Sequence, residues 1–183
     1  MKATDILMEE HRIIERFITT LEKATTKLQK GEAVRPQFFI EASDFIRGFA
    51  DGCHHQKEEG VLFKAMQMHG IPQQSGPIAV MLAEHEQGRL YNRGMQQAGQ
   101  LLAAGDVSAT VELVKNANGY ASLLRQHIAK EDGILFPLAD QVIPASKHEQ
   151  VFDDFGHIEH EETGEGVHEK FLILVEKLEK EMQ

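Results

Sequence analysis

Two stretches of this sequence, HHQKEEGVLF from His54 and HIAKEDGILF from His127, place an imidazole four residues before a carboxylate: His54 with Glu58, and His127 with Glu131. Residues four apart share one face of an α-helix, with about 6 Å between Cβ atoms, so each pair can aim a nitrogen and an oxygen at one point. Two further segments, MEEHRIIERF around His11 and LAEHEQGRLY around His85, each carry Glu-His. The four segments together offer four imidazoles and two carboxylates. Imidazole suits first-row transition metals, and a carboxylate can bridge two cations. Two ions with two histidines each, both glutamates bridging, would have four protein ligands apiece. A solvent-derived bridge makes five and leaves one position per ion for a small ligand. A single histidine on a helix face is ordinarily a packing or surface residue. Six such groups repeated in register are different, because burying four imidazoles and two ionised carboxylates without a cation is costly.

The elements that must position these groups are helices. One is expected over residues 4–30, with Leu7, His11, Ile14, Ile18, Leu21 and Leu28 on its inner face. A second, over 36–68, turns Ile46, Ala50, His54, Glu58, Leu62 and Ala65 inward. A third, over 77–104, opens on Pro77, whose missing N–H costs nothing in a first turn, and carries Ile78, Leu82, His85 and Leu102. A fourth, over 108–140, is capped by Ser108 and kinked or ended by Pro137, with Tyr120, Leu124, His127, Ile134 and Leu138 inward. The segments GEAVRP, HGIPQQSGP and AGDVS connect them. Ser146 and Glu149 have capping-box spacing for a short fifth helix, and a sixth after TGEG carries Phe171, Leu172, Leu174, Val175 and Leu178. The expectation is an all-α, up-and-down four-helix bundle with one or two additional C-terminal helices. It forms one domain over 1–183, with a core bundle at 4–140 and an extension at 146–183.

The two halves repeat. His-x-x-x-Glu recurs 73 residues on, and Glu-His 74 residues on. A duplicated helical hairpin would pack with pseudo-two-fold symmetry and bring equivalent residues together near the axis. Composition is in keeping with this: 183 residues are enough for a buried core. The formal net charge of -10 argues against nucleic acid and against an anionic membrane surface. The first residues are acidic and amphipathic, unlike a signal or transit peptide, so a cytoplasmic location is expected. One cysteine, Cys53, leaves no internal disulfide and no cysteine-rich metal site, and reads as a small packing residue.

These motifs resemble the hemerythrin family, also called the HHE cation-binding domain, over at least residues 4–140. The resemblance implies two iron ions, oxo- or hydroxo-bridged, that bind dioxygen or respond to oxygen, nitric oxide or iron status. Carried over, His11 and His54 would serve one iron, His85 and His127 the other, with Glu58 and Glu131 bridging. Oxygen-carrying members have another histidine one turn after the third-helix ligand, where this chain has Arg89. They also use an aspartate bridge in the fourth helix, where this chain has Glu131. Without that fifth histidine both irons would keep open coordination. The site then looks closer to sensor-like and stress-related members, including those linked to repair of iron centres.

Several residues around this set carry two readings. His168 either approaches the metals as an additional ligand or is structural. Tyr120 either reaches the pocket or packs with its hydroxyl satisfied. Arg89 either pairs with a bridging carboxylate or a bound anion, or lies solvated on its helix. His55 and Glu59 lie about 100° around the helix from His54 and Glu58 and are expected behind the ligands or at the surface. His157 and His160 are expected to be exposed. The leading functional expectation is a protein that binds or senses dioxygen or nitric oxide. The alternative is a di-iron oxidase, peroxidase or nitric oxide reductase. The paired Glu-x-x-His motifs of ferritin-like oxygenases are missing, apart from Glu165 with His168. A closed tetrahedral zinc site fits six donors poorly.

Overall fold

The computed structural model describes residues 2–159, 164 and 166–183. All regular structure among them is helical. α1 (Ala3–Gln29) runs antiparallel to a second rod over 36–68, which opens as α2 (Pro36–Phe45) and closes as α3 (Phe63–Met68). α4 (Gly76–Ala103) leads through a short turn to a fourth rod, made of α5 (Thr110–Lys130) and α6 (Phe136–Val142). α7 (His148–His157) and α8 (Val167–Glu181) follow. Two rods end on glycines in the left-handed region, Gly31 at φ 75° and Gly105 at φ 96°. There the next amide donates to a carbonyl five residues back, Glu32 to Lys27 and Asp106 to Leu101. No helix among the described residues is long and apolar enough to cross a membrane.

Two apolar layers fill the bundle. One holds Ile14, Phe17, Leu21, Phe45, Phe49, Leu113, Tyr120 and Leu124. The other, toward the opposite end, holds Leu7, Leu62, Phe63, Met66, Ile78, Leu135, Phe136 and Phe155. In every rod the polar residues singled out by spacing lie between the two. α8 adds Phe171, Val175 and Leu178 to the first layer, each side chain contributing about 1.5–3 kcal/mol on full burial. Ion pairs fix its register: Arg16 with Glu179, Arg35 with Glu181, and Lys177 with Glu41.

The second and fourth rods are not α-helical throughout. Residues Ile46–His55, Glu58–Leu62 and Glu131–Leu135 form π turns, whose amides bond five residues back rather than four. A π turn holds one extra residue, so the inner face moves on by one position. This corrects the placement of Ile134, which is 62% exposed, while Leu135, Phe136 and Ala139 point inward. Pro137 neither ends the rod nor breaks it, because it falls in the first turn of α6, just after the π turn. Nor does Ser108 cap the fourth rod. Asp106 accepts from the Ser108 backbone N–H at 3.0 Å and precedes a short 3₁₀ turn, Val107–Ala109. The Ser146–Glu149 box is also absent, and α7 begins after Lys147 with no side-chain cap.

Candidate metal centre

Seven buried side chains meet between the two apolar layers. Ligand-type atoms of His11, His54, Glu58 and Glu131 lie within 4.8 Å of one another, and so do those of His55, Glu58, His85 and His127. Glu58 belongs to both groups, with Oε1 3.6 Å from His54 Nε2 and Oε2 3.4 Å from His85 Nε2. Glu131 Oε2 stands 3.2 Å from His11 Nε2 and 3.2 Å from His127 Nε2. Adjacent donors around a first-row ion with bonds of about 2.1 Å are separated by about 3 Å, close to these edges.

Outside each ring a carboxylate accepts from Nδ1. The partners are Asp132 for His11 at 2.6 Å, Glu10 for His54 at 2.9 Å, and Asp51 for His55 at 3.0 Å. Glu59 takes His85 at 2.7 Å and Glu84 takes His127 at 2.9 Å. An ionised carboxylate only accepts, so Nδ1 carries the hydrogen, and in the neutral ring the Nε2 lone pair faces the centre. Each carboxylate is paired in turn with a cation. Arg12 pairs with Asp132, Lys57 with Glu10, Lys130 with Glu84, and Arg89 with both Asp51 and Glu59.

The chemistry of the inner atoms fits cations between them. Nε2 of His11, His54 and His55, and all four oxygens of Glu58 and Glu131, are buried without a hydrogen-bond partner among the described residues. Nε2 of His85 and Nε2 of His127 face each other at 3.1 Å, an approach of two lone pairs that needs a proton or a cation between them. Burial and the facing Glu131 push the Glu58 carboxyl well above the usual range. Against burial, His127 and His11 hold Glu131 well below it. Two facing carboxylates in a dry site cannot both stay charged unless a positive charge joins them. His54 is lowered to about 4 by burial, and His55 and His85 are lowered in the same way.

The spacing motifs thus converge, while the residues around them are distributed differently from expectation. His55 is 3% exposed and stands in the donor set, not behind it or at the surface. The π turn over Ile46–His55 steps successive side chains around by a smaller angle than an α-helix, so both His54 and His55 turn inward. The HH doublet was the visible signal; its reading at α-helical spacing hid it. Glu59 lies behind His85 as its acceptor. Arg89 contacts Asp51, Glu59 and Glu86 rather than either inner glutamate. The Tyr120 hydroxyl is buried without a hydrogen-bond partner among the described residues, its pKa pushed well up by burial and by Asp51. His168 stands apart from both donor groups, near Glu10 and Cys53, with its ring 5.1 Å from that of Phe49. The Cys53 thiol, 4.0 Å from Glu10, is pushed up to about 11 by burial and that carboxylate. His157 is exposed; His160 and Glu165 lie outside the described residues.

A profile of the hemerythrin HHE cation binding domain matches residues 2–139. The chain belongs to that family. Membership makes this a cation-binding domain, and the matched region contains all seven inner donors. The chain is also similar to uncharacterized proteins from two strains of Mycobacterium tuberculosis and from Mycobacterium bovis. Each is 25% identical over 180 residues, spanning 98% of this chain and 70% of the relative. No solved structure matches it significantly.

Proposed function

We propose that this protein holds two iron ions between its four rods and binds or senses a small diatomic ligand, dioxygen or nitric oxide, at one of them. The observation that carries this reading is the uneven division of the donors. His55, His85, His127 and Glu58 face one centre, with Glu131 in reach of the same half, giving five donors. His11, His54, Glu58 and Glu131 face the other, giving four. With a shared solvent bridge, a six-coordinate ion would be complete in the first half and one ligand short in the second. Imidazole and carboxylate together suit iron, whereas zinc favours a closed set of four.

Ferrous ions would supply the affinity for dioxygen or nitric oxide and the electrons for any reduction of them. The chain itself does the rest. Five carboxylates fix the imidazoles, and Phe136, stacked at 5.3 Å on His11, helps keep water from the four-donor half. The test is nitric oxide binding to anaerobic, ferrous-loaded protein. One nitric oxide per pair of ions is expected. Two per pair, or none, would contradict the asymmetric assignment.

A further inference from the structure

Of the five carboxylates that accept from the imidazoles, Arg12, Lys57 and Lys130 each pair with one, whereas Arg89 pairs with two. Its Nε donates to Asp51 Oδ1 at 2.9 Å and its Nη2 to Glu59 Oε1 at 2.8 Å. Those same two oxygens accept from His55 Nδ1 and His85 Nδ1. The two rings stack with centroids 3.8 Å apart and planes 13° from parallel. We propose that Arg89 is a positioning residue for the three-histidine half of the centre, holding His55 and His85 together through Asp51 and Glu59. The inference rests on the two-ion reading above.

The arrangement crosses two rods. Asp51, His55 and Glu59 follow at four-residue steps along the second rod, and His85 and Arg89 make one such step on α4. Glu59 reaches from the second rod to orient the imidazole of α4, and Arg89 reaches back from α4 to anchor the acceptor of His55. Two carboxylates flanking one imidazole on one helix repel each other. A planar guanidinium with donors pointing in fixed directions satisfies both at once, which a single ammonium does less well. Nη1 adds a bond to Glu86 at 2.6 Å that ties the fork to its own helix. The other half does not draw on it: His11 and His54 are oriented through Asp132 with Arg12 and Glu10 with Lys57.

The experiment loads wild type, Arg89→Met and Arg89→Lys with ⁵⁷Fe(II) under anaerobic conditions. Affinities are measured by chelator competition, and the two iron environments are resolved by Mössbauer spectroscopy. In Arg89→Met, one ion is expected to bind roughly 10- to 100-fold more weakly with its doublet shifted, while the other ion keeps its affinity and doublet. Arg89→Lys, which keeps the charge but not the fork, should fall between, and it carries the same test if the methionine variant does not fold. Wild-type affinities and both doublets unchanged in the folded variants would overturn the assignment, as would equal losses at both ions. Wild type holding fewer than two ions would instead overturn the two-ion reading, and this inference with it.

Discussion

His54 and His55 are neighbours in the chain, yet they belong to different halves of the donor set, with ring centroids 5.5 Å apart and planes tilted by 56°. The π turn makes this division possible, and it gives the two halves unequal numbers of imidazoles. His55→Ala should therefore leave the bundle folded while making the halves alike, with two imidazoles each. Nitric oxide uptake by the ferrous protein is expected to rise from one to two per pair of ions. Uptake that stays at one would show that His55 does not close the three-histidine half.

Glu58 separates the stability of the bundle from its capacity for metal. In the metal-free protein its carboxyl is pushed well above the usual range by burial and by Glu131, which favours its neutral form. Glu58→Gln is nearly the same shape and should change the metal-free Tm by only a few degrees. Wild type should gain about 2.7 kcal/mol for each bound ion when free iron is a hundredfold above the Kd of that site, and the variant should gain much less. Thermal unfolding with and without ferrous iron measures both. An equal gain in the two proteins would remove Glu58 from the ligands.

The pH dependence has a definite sign at His127. Burial pulls this ring down, but Glu131 and Glu84 outweigh it and raise it from 6.5 to about 9. A group raised on folding contributes stability fully below its unfolded value, and the contribution is lost as pH rises through the folded one. The metal-free protein should accordingly lose Tm between pH 6.5 and about 9. An ion needs the neutral ring, so binding in this window expels a proton and apparent affinity rises with pH by up to about tenfold per unit. Calorimetric titration in buffers of different ionisation enthalpy reads that proton. No proton release at pH 7.5 would contradict the assignment.

The fit of α8 on the bundle depends on a missing side chain. A Cβ at Gly48 would fall 2.0 Å from Phe171 Cζ, inside any real contact distance. Gly48→Ala should force that ring aside and cost about 1–3 kcal/mol, an overpacking penalty. Hydrogen exchange should show faster opening over α8 than over α4. A variant with wild-type exchange in α8 would mean that Phe171 has room to move.

The four rods were legible because each carries long helical periodicity bounded by glycine and proline. His11, His54, His85 and His127 were legible because the halves repeat. The misplacements of His55 and Ile134 share one cause. His55 and Ile134 were both placed by α-helical geometry, and both lie in π turns, whose extra residue leaves no composition or spacing signal. Of the outer carboxylates only Glu59 was expected behind the donors, and the others were hidden for another reason. Glu10 and Glu84 precede the inner histidines His11 and His85 by one residue in the Glu-His pairs, yet each serves a histidine on a different rod, a pairing that only packing fixes. Arg89 was visible as a position but not as a role, since its partners come from two turns of the neighbouring rod.

A pair of iron ions in this donor set is the proposal on which the rest depends. Its most direct test is the iron content of protein loaded anaerobically with ferrous iron and freed of excess metal. Two tightly bound irons per chain are expected, with an optical spectrum that changes on exposure to air. One zinc, or no bound metal after loading with ample iron, would contradict it and return the histidines and glutamates to a structural role.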